Sequence, residues 1–579
     1  MTMLTKWGAA LDRSCPLPEY PRPQLRRESF YNLNGVWDYA VTPSGDEPEV
    51  WDGEIVVPFS PEAPLSGAAR GPAKDEYLHY RRGFTLPEGF QKSRVLLHFG
   101  AVDQIAEVFV NGVSAAKHSG GYWPFSADIT SLLRKGENIL CVTVRDNADD
   151  PTFAYGKQRY KRGGMWYTAQ SGIWQTVWLE SVPEVYVKSL RITPEFDEAR
   201  VRIELETALE SSAAITCDVR AADGSFVAGS WAKGGVCVVP LPGFRAWTPD
   251  DPYLYTLDIT CGEDHVESYF AMRKFSYVEL DGHKVFGLNN APLFHNGLLD
   301  QGYYPDGLLT PPSDEAMVND IETMKRCGFN MLRKHIKIEP LRWYYHCDRL
   351  GMIVWQDMVS GGQPYSFLHV SALPTLGKVD LPDQDAKPYG RSGVLSRARF
   401  RREMADTVRL LYNCPCIALW TVFNEGWGQF DALDMANELK KLDPTRFIDH
   451  ASGWQDQGYE EMKSRHIYFR PVKLKNDGRA LALTEYGGYI LAVDGHRWTD
   501  KVFGYRICRN SAALAHDYEK LMLGQVLPHI RKEGLTAAVY TQITDVEEEL
   551  NGLMTYDREV LKIPEETLRE INAALRFDA

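Results

Sequence analysis

The feature that most constrains this chain is a change of periodicity near Phe275. Before it, short β-branched and aromatic runs alternate with Gly, Pro, Asn and Asp; after it, helical spacing appears for the first time and alternates with short apolar strands. Ser313 precedes Asp314 and Glu315, and Met317, Ile321 and Met324 recur at helical spacing, which predicts an N-capped amphipathic helix. Asn330 to Arg333 and Ile353 to Asp357 read as strands, with a helix from Leu341 to Leu350 between them. Strand and helix repeated over roughly 300 residues predict a parallel (β/α)8 TIM barrel across 276–579.

Inside that region two apolar runs stop at a glutamate. Ala418 to Phe423 leads into Asn424-Glu425-Gly426, and Ala480 to Leu483 leads into Thr484-Glu485-Tyr486-Gly487-Gly488. Two acids at the C-terminal ends of two barrel strands suit glycosidic bond cleavage: one is protonated to assist the leaving group, while the other is ionised to attack the sugar. Spacing alone equally allows two structural acids paired with arginines.

The region before Phe275 divides again. Residues 1–183 carry strands such as Arg94 to Phe99, Ala106 to Val110 and Ile139 to Val144, and Asn111-Gly112 marks a hairpin because both residues tolerate positive φ. A jelly-roll β-sandwich is expected there. Residues 184–275 hold closer-spaced alternating strands, such as Arg200 to Leu205 and Ala214 to Val219, which suggest an immunoglobulin-like β-sandwich.

Composition narrows the partners. A formal charge of −14 offers no basic face for phosphates, so no nucleic acid is expected. No run reaches the roughly 18 apolar residues of a membrane span, and the N-terminus lacks a signal-like apolar core, so the expected location is cytoplasmic and no membrane contact is expected. The ten cysteines form no zinc-type spacing and are expected to be reduced, and the histidines form no HxH or HExxH pair, so no metal is expected.

The chain resembles glycoside hydrolase family 2, the β-galactosidase, β-glucuronidase and β-mannosidase group, along nearly its whole length. The resemblance rests on Phe30 to Trp37, Leu78 to Arg82, Phe109 to Gly112, Ser171 to Gln175, Met272 to Phe275, Cys347 to Gly351, Phe423 to Trp427 and Thr484 to Gly488. It implies a retaining exo-β-glycosidase without an organic cofactor. Glu425 would be acid then base, Glu485 the nucleophile, and Asn424 a partner of the sugar 2-hydroxyl. His466 and Tyr468 resemble the family's His-x-Tyr strand end, with Tyr468 beside Glu485; a packed aromatic is the alternative for Tyr468. Family members of large size are commonly oligomeric, so a homo-oligomer is an expectation.

Departures from the family pattern bear on the sugar. Arg333-Lys334-His335-Ile336-Lys337 keeps the arginine of the galactosidase-like text but moves its histidine, and the Asn-x-Lys of typical β-glucuronidases is missing after Tyr540. The first expectation is therefore a neutral terminal β-galactoside, with a β-hexuronide (β-galacturonide or β-glucuronide) next and a carbohydrate-binding pseudoenzyme as the non-catalytic rival. Candidate substrate-binding residues are Asn424, Tyr468, His466, Arg333, His335, Lys337, Arg470, His496, Arg497 and Trp498. Arg470 is the first choice for a carboxylate partner, although a solvated loop arginine is the plainer reading of it; His496 and Trp498 could wall the pocket. The segments Gly120 to Phe125 and Arg159 to Tyr167 are candidate rim loops.

Overall fold

The computed structural model describes residues 3–577 except 210–213, 233, 376, 378 and 379. Toward the N-terminus a pair of antiparallel sheets pack face to face. One orders Gly53–Val57, Gly35–Thr42, Tyr77–Thr85, Glu137–Arg145, Ile105–Val110 and Val113–Ser119; the other orders Phe30–Asn32, Val177–Val182, Arg94–Phe99 and Phe125–Asp128. Strand alternation turns Leu140, Val142 and Val144 inward onto Trp37, Tyr80, Val108 and Leu179, which is the jelly-roll core. Asn111 and Gly112, at φ 52° and 81°, form the tight turn between two adjacent strands.

The next strands form an immunoglobulin-like pair of sheets. Val187–Glu195, Arg200–Thr207 and Val236–Pro240 make one; Phe226–Trp231, Ile215–Arg220, Tyr255–Cys261 and Asp264–Phe270 make the other. Val201, Ile203, Cys217, Val219, Leu257 and Ile259 fill the space between them.

The remaining chain builds a nearly closed eight-stranded parallel barrel. Its strands are His295–Asp300, Met331–Lys334, Ile353–Asp357, Ile417–Thr421, Phe447–Asp449, Met462–Ile467, Ala480–Gly487 and Leu535–Thr541. The ladder is continuous except between the fifth and sixth strands. There the Ser464 hydroxyl donates to Asp449 and to the Ala451 carbonyl, both at 3.0 Å, and stitches the seam. The expected first helix is Asp314–Arg326, with Ser313 accepting from the Ala316 N–H and with Met317, Ile321 and Met324 buried. The eightfold alternation is incomplete: after the fifth and sixth strands the described residues include no helix. A hairpin of Phe275–Leu280 and His283–Leu288 closes the N-terminal end, stacking Phe286 on Phe447 at 4.2 Å. No helix of the described residues is long and apolar enough to cross a membrane.

Both sandwiches are bonded to the barrel. The Trp247 indole donates to the Asp348 carbonyl at 2.8 Å, and the Thr310 hydroxyl to the Trp174 carbonyl at 2.7 Å. Near the barrel's C-terminal end the loop after Asp150 lies directly on Gly361, where a Cβ would sit 2.1 Å from the Phe153 carbonyl oxygen. The oxygen belongs to backbone and a Cβ is fixed by its own backbone, so neither yields cheaply. Gly361→Ala is therefore expected to push this loop off the barrel. Hydrogen exchange of residues 153–167 should rise in the variant, whereas unchanged protection would show that the contact does not hold the loop.

Candidate active site

Glu425 and Glu485 reach the same place by different local devices. The fourth strand ends at Thr421, and the chain then turns so that the Glu425 N–H donates to the Ser452 carbonyl at 2.9 Å and the Trp427 N–H to the Asn424 carbonyl at 3.0 Å. Glu425 takes φ 54°, a left-handed conformation that costs a non-glycine residue about 1 to 3 kcal/mol. The Trp454 indole, donating to the Glu425 carbonyl at 2.9 Å, helps to hold it. Glu485 instead lies within its strand, which continues to Gly487. Pairing with the sixth strand jumps from Arg465–Leu483 to His466–Glu485, an irregularity of the bulge type that re-aims side chains.

The two acids and one histidine converge. A carboxylate oxygen from each glutamate and a ring nitrogen of His466 lie within 4.8 Å of one another. His466 Nδ1 is 2.8 Å from Glu425 Oε1, and its Nε2 is 3.2 Å from the Ser452 hydroxyl. Burial pushes His466 down to about 3, so its ring is neutral near pH 7. A neutral ring serves either state of Glu425, accepting from the acid as one tautomer or donating to the carboxylate as the other. These are metal-ligand residue types, but the Arg333 guanidinium already supplies positive charge against Glu485 at 3.1 Å.

The environments of the acids differ. Burial raises Glu425 above its ordinary range, opposed by the charges of Lys157, His335 and Arg333. Glu485 is met by donors: Arg333 Nη1 at 3.1 Å and the Tyr468 hydroxyl at 2.5 Å. Burial and the neighbouring Glu485 raise Tyr468, which keeps its proton available to donate. Tyr505 stacks on the Tyr468 ring at 3.9 Å.

Arg333 is completely buried and fully occupied. Its Nε and Nη2 grip Asp357 at 3.0 and 3.1 Å, Nη1 also donates to the Thr484 carbonyl at 3.1 Å, and Nη2 donates to Asn424 Oδ1 at 2.8 Å. It thus ties the second, third, fourth and seventh strand ends together and has no face left for substrate. Asn424 accepts from Arg333, and its Nδ2 has no hydrogen bond among the described residues. His335 bonds Asp357 at 2.8 Å and comes within 4.0 Å of Glu485.

The other sequence candidates do not join this group. Lys337 turns away to Glu339 at 2.9 Å and to the Leu309 carbonyl at 2.8 Å, because a buried ammonium needs such partners. Arg470 is exposed, beside Gly377. Arg497 pairs with loop acids Asp494 at 3.1 Å and Asp500 at 3.8 Å, and His496 bonds Asp557 at 2.8 Å. Trp498 stacks under the Arg162 guanidinium at 4.4 Å. Of the two candidate rim loops, the second reaches the mouth, where Trp166 packs edge-on against Trp427 at 5.0 Å. In the first, Trp123 donates to Thr407 on a barrel helix. Sequence reasoning left Asp357, Ser452, Lys157 and Tyr505 out of the site, although Asp357 was visible as a carboxylate at a strand end. An apolar cavity of about 250 Å³ lined by Phe99, Phe125, Trp174 and Met317 lies elsewhere, and neither glutamate lines it.

Three family models match in succession. Residues 64–183 match the sugar binding domain of glycosyl hydrolases family 2, residues 185–273 match the model named glycosyl hydrolases family 2, and residues 310–474 match the family's TIM barrel domain. The chain belongs to glycosyl hydrolases family 2. Glu425 falls inside the matched barrel segment of this family member, and Glu485 lies beyond it. A β-galactosidase of Halalkalibacterium halodurans is 23% identical over 78% of the chain, which covers 45% of that relative. A β-glucuronidase of Paenibacillus borealis is 22% identical over 82% of the chain and 85% of its own length. The chain spans about half the length of several curated relatives it matches. Among solved structures, a β-glucuronidase of an uncultured Clostridium species superposes with TM-score 0.75 at 18% identity, covering 95% of this chain and 99% of that one. A β-galacturonidase of Eisenbergiella tayi superposes with TM-score 0.70 at 18% identity, covering 97% and 100%. At such identities these likenesses establish the fold.

Arg333→Lys keeps the charge but cannot reproduce a planar fork with five N–H donors. Partly unpairing this buried cluster is expected to cost about 3 kcal/mol or more of stability. The thermal midpoint should fall clearly; a midpoint within a degree of the parent would contradict the role given to Arg333.

Proposed function

We propose that this protein is a retaining exo-β-glycosidase that hydrolyses a terminal β-linked sugar through a covalent glycosyl-enzyme. The observation carrying the proposal is the approach of Glu425 and Glu485 oxygens to within 4.8 Å. Retaining enzymes hold their carboxyl groups about 5 to 5.5 Å apart, whereas inverting enzymes need about 6.5 to 9.5 Å to admit a water. In this reading the chain comprises a jelly roll over 1–183, an immunoglobulin-like unit over 184–275 and the barrel over 276–579.

The first step breaks the glycosidic C–O bond. A Glu485 oxygen attacks the anomeric carbon while Glu425 gives its proton to the departing oxygen, leaving a glycosyl ester on Glu485 and a Glu425 carboxylate. That carboxylate then takes a proton from water, whose oxygen displaces Glu485 and releases the sugar with its original configuration. Arg333 and Tyr468 receive the charge returning to Glu485, and Asn424 Nδ2 is free to meet the 2-hydroxyl.

Which sugar is taken turns on a cation. The neutral β-galactoside needs none, whereas a β-hexuronide needs a charged partner for its carboxylate. Relatives named for both activities match at similar identity.

A 2-deoxy-2-fluoro β-glycosyl fluoride is expected to inactivate the protein and leave the label on Glu485; labelling of another residue would overturn the mechanism. The pH dependence follows from Glu425. Its raised pKa keeps the acid protonated above the ordinary carboxylate range, so kcat/KM should fall as pH rises through that value. Glu425→Gln should abolish this alkaline limb for substrates with an activated leaving group. Its persistence would assign the limb to another group.

A further inference from the structure

Lys157 is carried into the barrel mouth by the jelly-roll loop. The loop is fixed there: the Gly156 N–H donates to the Ser360 carbonyl at 2.9 Å, and a Cβ on Gly156 would lie 3.0 Å from the Ile336 carbonyl oxygen, next to His335. The Tyr167 N–H donates to the Lys157 carbonyl at 3.0 Å, and the Tyr167 hydroxyl bonds Glu549. From this anchored backbone the side chain enters the mouth. Lys157 is only 9% exposed, and its Nζ lies 5.8 Å from the Trp166 ring centre, on the Trp427 side of the site.

The ammonium acts electrostatically on Glu425, His335 and Glu549 together, yet it makes no hydrogen bond or ion pair among the described residues. The other buried lysines are satisfied: Lys334 reaches Asp300 at 2.6 Å, Lys337 reaches Glu339 at 2.9 Å and Lys562 reaches Asp545 at 2.6 Å. An ammonium without a hydrogen-bond partner in a site mouth is open to a ligand, and a charged ligand group is the partner that bonds it most strongly. Sugar hydroxyls can accept a hydrogen bond but cannot neutralise the charge. Of the other cations that act on Glu425, Arg333 is fully bonded and His335 is held by Asp357.

We propose that Lys157 is the receptor for the carboxylate of a terminal hexuronosyl group, so that the substrate is a β-hexuronide. The proposal rests on the retaining β-glycosidase reading and fixes its sugar. It replaces the barrel-borne cations offered by the sequence with one supplied by the neighbouring sandwich.

The test compares 4-nitrophenyl β-D-glucuronide and β-D-galacturonide with the matching glucoside and galactoside, in the parent, Lys157→Met and Lys157→Arg. The parent should prefer a uronide. Lys157→Met should lower the uronide-to-hexoside ratio of kcat/KM by about tenfold or more, mainly through KM, as expected for losing one charge-assisted contact; Lys157→Arg should keep most of the preference. A parent that prefers the hexosides, or a ratio unchanged in Lys157→Met, overturns the proposal. So does a uniform loss on all four substrates with a displaced alkaline limb, because Lys157 would then act only on Glu425. Calorimetry with free D-glucuronate and D-galacturonate separates the two readings. Lys157-dependent binding in a protein whose Glu485 is never labelled would refute the glycosidase reading while retaining the carboxylate receptor, whereas labelling without Lys157-dependent binding would do the reverse.

Discussion

The site depends on one buried guanidinium. Arg333 holds Asp357 with two parallel bonds, Glu485 with a third and Asn424 with a fourth, and so joins the ends of four strands. Charges this deep are tolerated only when paired and hydrogen-bonded. The neutral His466, in contact with Glu425 and near Glu485, adds no further charge to the cluster. With Arg333 bonding one oxygen of Glu485 and Tyr468 the other, the carboxylate has a defined direction before any ligand arrives.

Glu425 is built on a different principle. It stands beyond its strand in a left-handed turn, is held through its backbone by Ser452 and Trp454, and shares a side-chain bond with His466. Burial raises it, so the two acids differ in environment as well as in mounting. The barrel mouth is also composite: the jelly roll contributes Lys157, Trp166 and Tyr167, and the Gly361 contact fixes how closely that loop lies on the barrel.

Much of this was legible in the sequence, and the reasons are local. The change of period at Phe275, the Ser313 cap and the apolar faces of Leu140, Val142 and Val144 are short-range patterns, and both glutamates stand at the ends of apolar runs. The bulge before Glu485 and the turn at Glu425 were not legible, because register depends on partner strands. Nor was the direction of Lys337 or Arg497: a strand-end cation can face the pocket or a neighbouring acid, and the nearby Glu339 and Asp494 decide it. Lys157 was hidden for a different reason. The residues that anchor its loop, Ile336, Ser360 and Glu549, lie far away in the chain, and only the packing of the sandwich on the barrel brings them together.

The central claim is that Glu425 and Glu485 stand too close for a water to act between them and therefore work by double displacement. The stereochemistry of the product tests this most directly. Proton NMR of the first sugar released from a cleaved β-glycoside, recorded before mutarotation, should show the β-anomer. Initial formation of the α-anomer would mean single displacement and would contradict the account.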